Sequence, residues 1–109
     1  MATLYQLHTT GETLDSSVAR LAQTWQAGDS MVLLGATIAY IDWLQMRMDE
    51  QDLGDCHAIY ALEQDINALD EHTRERLRLH DKVTTILSDQ AWVALTQDPQ
   101  FSQVISIAL

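Results

Sequence analysis

The chain has 109 residues, 47% of them hydrophobic, which fits one compact domain over residues 1–109 with a real core and leaves no room for a second. Sixteen Asp and Glu against six Lys and Arg give a formal net charge of −10, which argues against tight direct binding to a nucleic-acid backbone and against anionic membranes. Apolar runs are too short to span a bilayer, Met1–Tyr5 lacks the basic and apolar regions of a secretory signal, and one cysteine permits no internal disulfide, so a reducing cytoplasm is the expected location.

Thr3–His8 predicts an opening strand, bounded by a turn through Gly11. Leu14, Val18, Leu21, Ala22 and Trp25 then recur at helical spacing, with Thr13 placed to cap the helix, Asp15 in its first turn and Gly28 placed to stop it. Ser30–Leu34 is continuously apolar after its serine. Continuous rather than alternating apolarity predicts a parallel strand covered on both faces. Gly35 marks the turn out of that strand, and Ala36 to about Met48 reads as a second helix with Ile38, Ile41, Leu44 and Met48 on one side.

An acidic loop, Asp49–Asp55, returns the chain to a third strand, Cys56–Ala61. Glu63–Leu69 predicts a short helix. Asp70–His80 stays open, because Leu77 and Leu79 suit either a strand alternation or a helix end. Val83–Leu87 is β-branched and reads as a strand; Ser88 or Asp89 then caps a helix carrying Trp92, Val93 and Leu95, which Asp98-Pro99 ends. Val104–Leu109 is apolar enough for a last strand. Strands alternating with amphipathic helices predict an α/β fold: a mostly parallel sheet of about five strands with helices on both faces.

Four segments carry a resemblance to a known family. They are Leu4-Tyr5-Gln6-Leu7-His8, Val32-Leu33-Leu34-Gly35-Ala36-Thr37, Ile59-Tyr60-Ala61-Leu62-Glu63-Gln64-Asp65-Ile66, and Ile86-Leu87-Ser88-Asp89-Gln90-Ala91-Trp92-Val93-Ala94-Leu95. In order and wording they resemble the TusB/DsrH family of sulfur-relay subunits, and the Tyr-Ala-Leu-x-x-Asp phrase is the most specific of them. The resemblance implies a three-layer α/β/α Rossmann-like domain. It also implies assembly with homologous TusC/DsrF-like and TusD/DsrE-like subunits in a dimer of heterotrimers, and a role in the bacterial cytoplasm passing persulfide sulfur between carrier proteins. In the Tus branch the sulfur reaches the wobble uridine of tRNA as a 2-thio group; in the Dsr branch it serves dissimilatory sulfur oxidation. The family's sulfur-carrying cysteine is expected in the loop after the first strand, where this chain has Thr9-Thr10-Gly11-Glu12-Thr13. That favours a TusB-like subunit with no catalytic thiol of its own.

The individual residues allow sharper and plainer readings. Cys56 is the weak candidate for a thiol carrier, but adjacent residues of a strand point His57 the other way, and Asp52 and Asp55 disfavour a thiolate; the plain reading is an inert cysteine at a strand edge. His8, at the rim of a parallel sheet, either bonds across an interface or caps its own strand. Asp65 either works at that rim or simply suits the first turn of a helix. Tyr40 and Trp43 read as interface anchors if exposed and as core if the helix is rotated. Arg74, Arg76 and Arg78, with His72, His80 and Lys82, are either a solvated face or a contact for an acidic partner. No metal-ligand or nucleotide-binding spacing occurs around the histidines or glycines, so no cofactor is expected. A Cys56 carrier, a sulfur-oxidation subunit and an acidic homo-oligomer unrelated to sulfur remain as alternatives.

Overall fold

The computed structural model describes residues 2–8, 12–53 and 56–108. Five strands, β1 (Ala2–His8), β2 (Asp29–Leu33), β3 (Cys56–Leu62), β4 (Thr85–Leu87) and β5 (Phe101–Ala108), form one sheet in the order β4-β3-β2-β1-β5. All four pairings are parallel, which makes the sheet fully rather than mostly parallel. Every residue of β2 is buried, as its continuous apolar run requires of a central strand covered on both faces.

Helices α1 (Leu14–Ala22), α2 (Ile41–Glu50), α3 (Glu63–Asn67), α4 (Glu71–Leu77) and α5 (Leu79–Lys82) link the first four strands, and α6 (Asp89–Thr96) returns the chain to β5. Their side chains separate into two cores. The larger joins Leu14, Val18 and Leu21 of α1 and Ile41, Leu44 and Met48 of α2 to Tyr5, Leu7, Met31 and Leu33 of the sheet. The smaller, on the opposite face, packs Trp92 and Leu95 of α6 on Leu4, Val32, Tyr60 and Phe101. This is the three-layer α/β/α Rossmann-like arrangement. The handedness of parallel connections explains the division, because links advancing along the sheet from β1 to β4 share one face and the returning link takes the other.

Three local expectations change and one open segment is resolved. Helix α1 stops at Ala22 with Gln23 as its cap, so Trp25 lies beyond it, stacking at a tilt on Tyr5 at 5.5 Å, and Gly28 (φ 95°) instead shapes the turn into β2. The segment expected as one helix from Ala36 begins as a 3-10 helix, Gly35–Tyr40, and becomes α-helical only from Ile41. Residues 70–80 are two helical pieces, broken where Arg78 adopts a left-handed conformation (φ 50°) that closes α4. The fourth strand is confined to Thr85–Leu87, and the last begins at Phe101 rather than Val104.

At the other end of the sheet, the buried Asp29 carboxylate accepts from the amides of Thr3 and Gln26, each at 2.9 Å. It thereby ties the start of β1 to the turn before β2, and its two charge-assisted bonds offset the cost of burying it.

Candidate functional site

The carboxyl ends of parallel strands form the usual working rim of such sheets. Here that rim gathers His8 from the end of β1, Gly35 from the turn after β2 and Asp65 from α3. The Gly35 amide donates to Asp65 Oδ2 at 2.9 Å. Gly35 has φ 59°, so the backbone favours glycine; a methyl group built on it would lie 2.8 Å from His8 Nε2, the far end of an exposed side chain that can turn aside. The half-buried Asp65 therefore holds a turn, while His8 lies exposed over it. His8 and Asp65 were each singled out by position; their meeting through Gly35 has no local signature.

The connections after β3 and β4 leave toward opposite faces, since Ile66 of α3 packs on the larger core and Trp92 of α6 on the smaller. The strand order itself reverses between β1 and β5, whereas that divergence opens a crevice at the β3–β4 edge. A cavity of about 210 Å³ lies there, lined by Glu63, Gln64, Asn67, Leu87, Ser88 and Asp89. Its two carboxylates oppose a phosphate or other anion. Ser88 uses its hydroxyl to cap α6, accepting from the Ala91 amide at 3.1 Å.

Beside this cavity, a groove of about 950 Å³ runs between α3, the α4–α5 bend and Ile86 of β4. Ile66, Leu79 and Ile86 supply its apolar surface, and Arg74, Arg78 and His80 face it together with four carboxylates. Of the three arginines singled out, Arg74 and Arg78 line the groove and Arg76 does not. Among the described residues none of the three forms an ion pair, whereas Arg47 meets Asp15 at 2.8 Å and Glu50 at 3.0 Å, and Lys82 pairs with Asp42. The Arg47–Asp15 contact is an ion pair without directed hydrogen-bond geometry. Asp70 begins α4 by accepting from the Thr73 amide at 2.7 Å, and this bond is the main reason its carboxyl is held below the usual range.

Cys56 stands at the opposite end of the sheet, opening β3 beside Asp29. Burial pushes its thiol up from 9.0 to about 11 and the Asp29 charge adds to the rise; the thiol also donates to the Ala58 carbonyl at 3.4 Å, a bond only its protonated form can make. Neighbouring His57 is exposed while Cys56 is half-buried. Asp55, expected to flank the thiol, lies outside the described residues, as do residues 9–11 of the loop after β1. A thiol with these surroundings is a poor nucleophile at neutral pH.

Tyr40 and Trp43 part company. Tyr40 closes the 3-10 helix and packs, half-buried, against the larger core. Trp43 is 54% exposed on α2, and its companion on the surface is Met46, at 47%. Among the described residues no group of three or more His, Cys, Asp or Glu could hold a metal ion, and no helix is long and apolar enough to cross a membrane. Comparisons of the chain with protein-family models, with curated proteins and with solved structures give no significant match.

Proposed function

We propose that the chain is a non-catalytic subunit of a cytoplasmic sulfur-relay complex, supporting persulfide transfer toward 2-thiouridine at the tRNA wobble position. The observation that carries this reading is the position of its one thiol. Cys56 lies at the amino end of the sheet with its thiol raised to about 11, remote along β3 from the rim formed by His8, Gly35 and Asp65. A persulfide carrier needs an accessible thiolate that a partner's sulfur can reach. The segments resembling TusB-like subunits include that rim: they contain His8, Gly35 and Asp65. On this reading the chain contributes shape and contacts, and its partners contribute the reactive thiol.

The surface supports subunit contacts. Trp43 and Met46 expose a large aromatic and a flexible apolar side chain three residues apart on α2, a combination suited to a desolvated interface core. Arg74 and Arg78, free of ion pairs among the described residues, stand in the groove among four carboxylates and suit a polar neighbour of mixed charge. Co-expression with TusC-like and TusD-like chains tests the assignment: light scattering should find one heteromeric assembly heavier than the isolated chain. Recovery of the three chains separately would remove the basis for it.

A further inference from the structure

We infer that the outer edge of β5 pairs with the β5 of a second copy of this chain, antiparallel about a twofold axis near Val104 and Ile105, joining two five-stranded sheets into one. This inference does not depend on the sulfur-relay reading. It begins with the sheet order, which leaves β4 and β5 as edges. The β4 edge is short, three residues; β5 runs for eight and, among the described residues, pairs with no strand other than β1. A long exposed edge is a template for another strand, and proteins usually blunt it with charge, proline or a bulge.

The β5 edge carries little of that protection. From Phe101 to Ala108 it contains no charged residue and no proline, although 20% of the chain is charged. The one register shift lies at its start, opposite Ala2 and Thr3; from Gln103 to Ala108 the ladder with β1 is regular. Val104 and Ile105 are half-buried, one packed on each core, so each face of the edge offers a partly exposed β-branched side chain.

The charge distribution selects the occupant. Two molecules of net charge −10 repel over most of their surfaces, and an uncharged strand lets identical copies approach without placing like charges opposite one another. An isologous twofold contact requires such a self-complementary patch, and antiparallel β5 strands supply it with Ser, Gln, Val and Ile. A stable interface of standard size buries about 1,600 Å²; one strand pair buries less, so the dimer is expected to form reversibly with concentration. Because the edge is uncharged and the bodies are acidic, added salt should strengthen it, the reverse of a charge-complementary interface.

The test is light scattering of the purified full-length chain over a broad concentration range at low and high salt, with hydrogen exchange on the same samples. Mass should rise toward a dimer with concentration and with salt, and β5 amides should gain protection as it does. Ser106 is exposed and its side chain lies on the surface, so Ser106→Lys should leave the circular dichroism unchanged and raise the dimer dissociation constant by at least about tenfold. Trp43→Lys should leave dimerisation as it was. A chain monomeric under every condition overturns the inference, and so does a dimer lost with Trp43→Lys, or one whose β5 amides gain no protection.

Discussion

The Gly35 amide donates to the Asp65 carboxylate at 2.9 Å across 30 positions of sequence, fastening the turn after β2 to the helix after β3. That one bond gives Asp65 a structural task beyond suiting the first turn of its helix. Its carboxylate is used to hold the rim together, and the helix dipole alone does not account for its placement. Asp65→Ala leaves a partly buried amide without a partner and should lower stability by about 1–3 kcal/mol. Asp65→Asn keeps an acceptor and should cost less. Urea denaturation of the two variants separates them, and equal losses would contradict the bond's role.

Gly35 tests the same rim from the other side. Gly35→Ala imposes a side chain at φ 59° and drives its methyl group to 2.8 Å from His8 Nε2. Destabilisation beyond about 1 kcal/mol is expected. The imidazole is exposed and can turn aside, so His8→Ala in the same chain should recover little of that loss, which is mainly a backbone cost. A double-mutant cycle by thermal unfolding measures the recovery; a large recovery would mean that the imidazole is held in place against Gly35.

Cys56 should behave as a buried thiol. With its thiol at about 11, a thiolate fraction of roughly one in ten thousand is expected at pH 7. Alkylation of the folded protein should be slow at neutral pH and accelerate as pH rises toward 11, whereas the denatured chain should react at the rate of an ordinary thiol. The folded value lies above the unfolded one, so the thiol's contribution to stability is complete below the unfolded value and is lost as pH rises through the folded value. Rapid alkylation of the native protein at pH 7 would reverse this assignment.

Trp43→Ala should leave the isolated fold intact, since the indole is 54% exposed. Loss of an aromatic anchor at an interface costs about 2 kcal/mol or more, so in the proposed complex association with the neighbouring subunit should weaken at least about tenfold. Thermal melting and a binding titration read the two effects separately. Unchanged affinity would move the contact away from α2, toward the groove of Arg74 and Arg78.

Much of the architecture was legible because it is written in local patterns. The unbroken apolar run ending at Leu34 announced a central parallel strand, and alternation of strand with helix announced the layers. The features that escaped depend on backbone choices or distant partners. Helical spacing from Ala36 to Met48 is the same whether the first turns are 3-10 or α, so the change at Ile41 leaves no mark. The break at Arg78 puts a left-handed conformation on a residue that seldom adopts it, where glycine or asparagine would have signalled one. His8 and Asp65 were legible one at a time, as residues at strand ends. Their meeting over Gly35 is a tertiary fact, and so is the burial of Cys56 beside Asp29, which raises its thiol.

The most direct measurement is mass spectrometry of wobble 2-thiouridine in tRNA from three strains: one with the native chain, one lacking it and one carrying Cys56→Ser. The account predicts that thiolation collapses without the chain and stays close to normal with Cys56→Ser. Normal thiolation in the absence of the chain would remove it from the pathway. Loss of thiolation with a folded, assembled Cys56→Ser protein would make it a sulfur carrier and contradict the non-catalytic role.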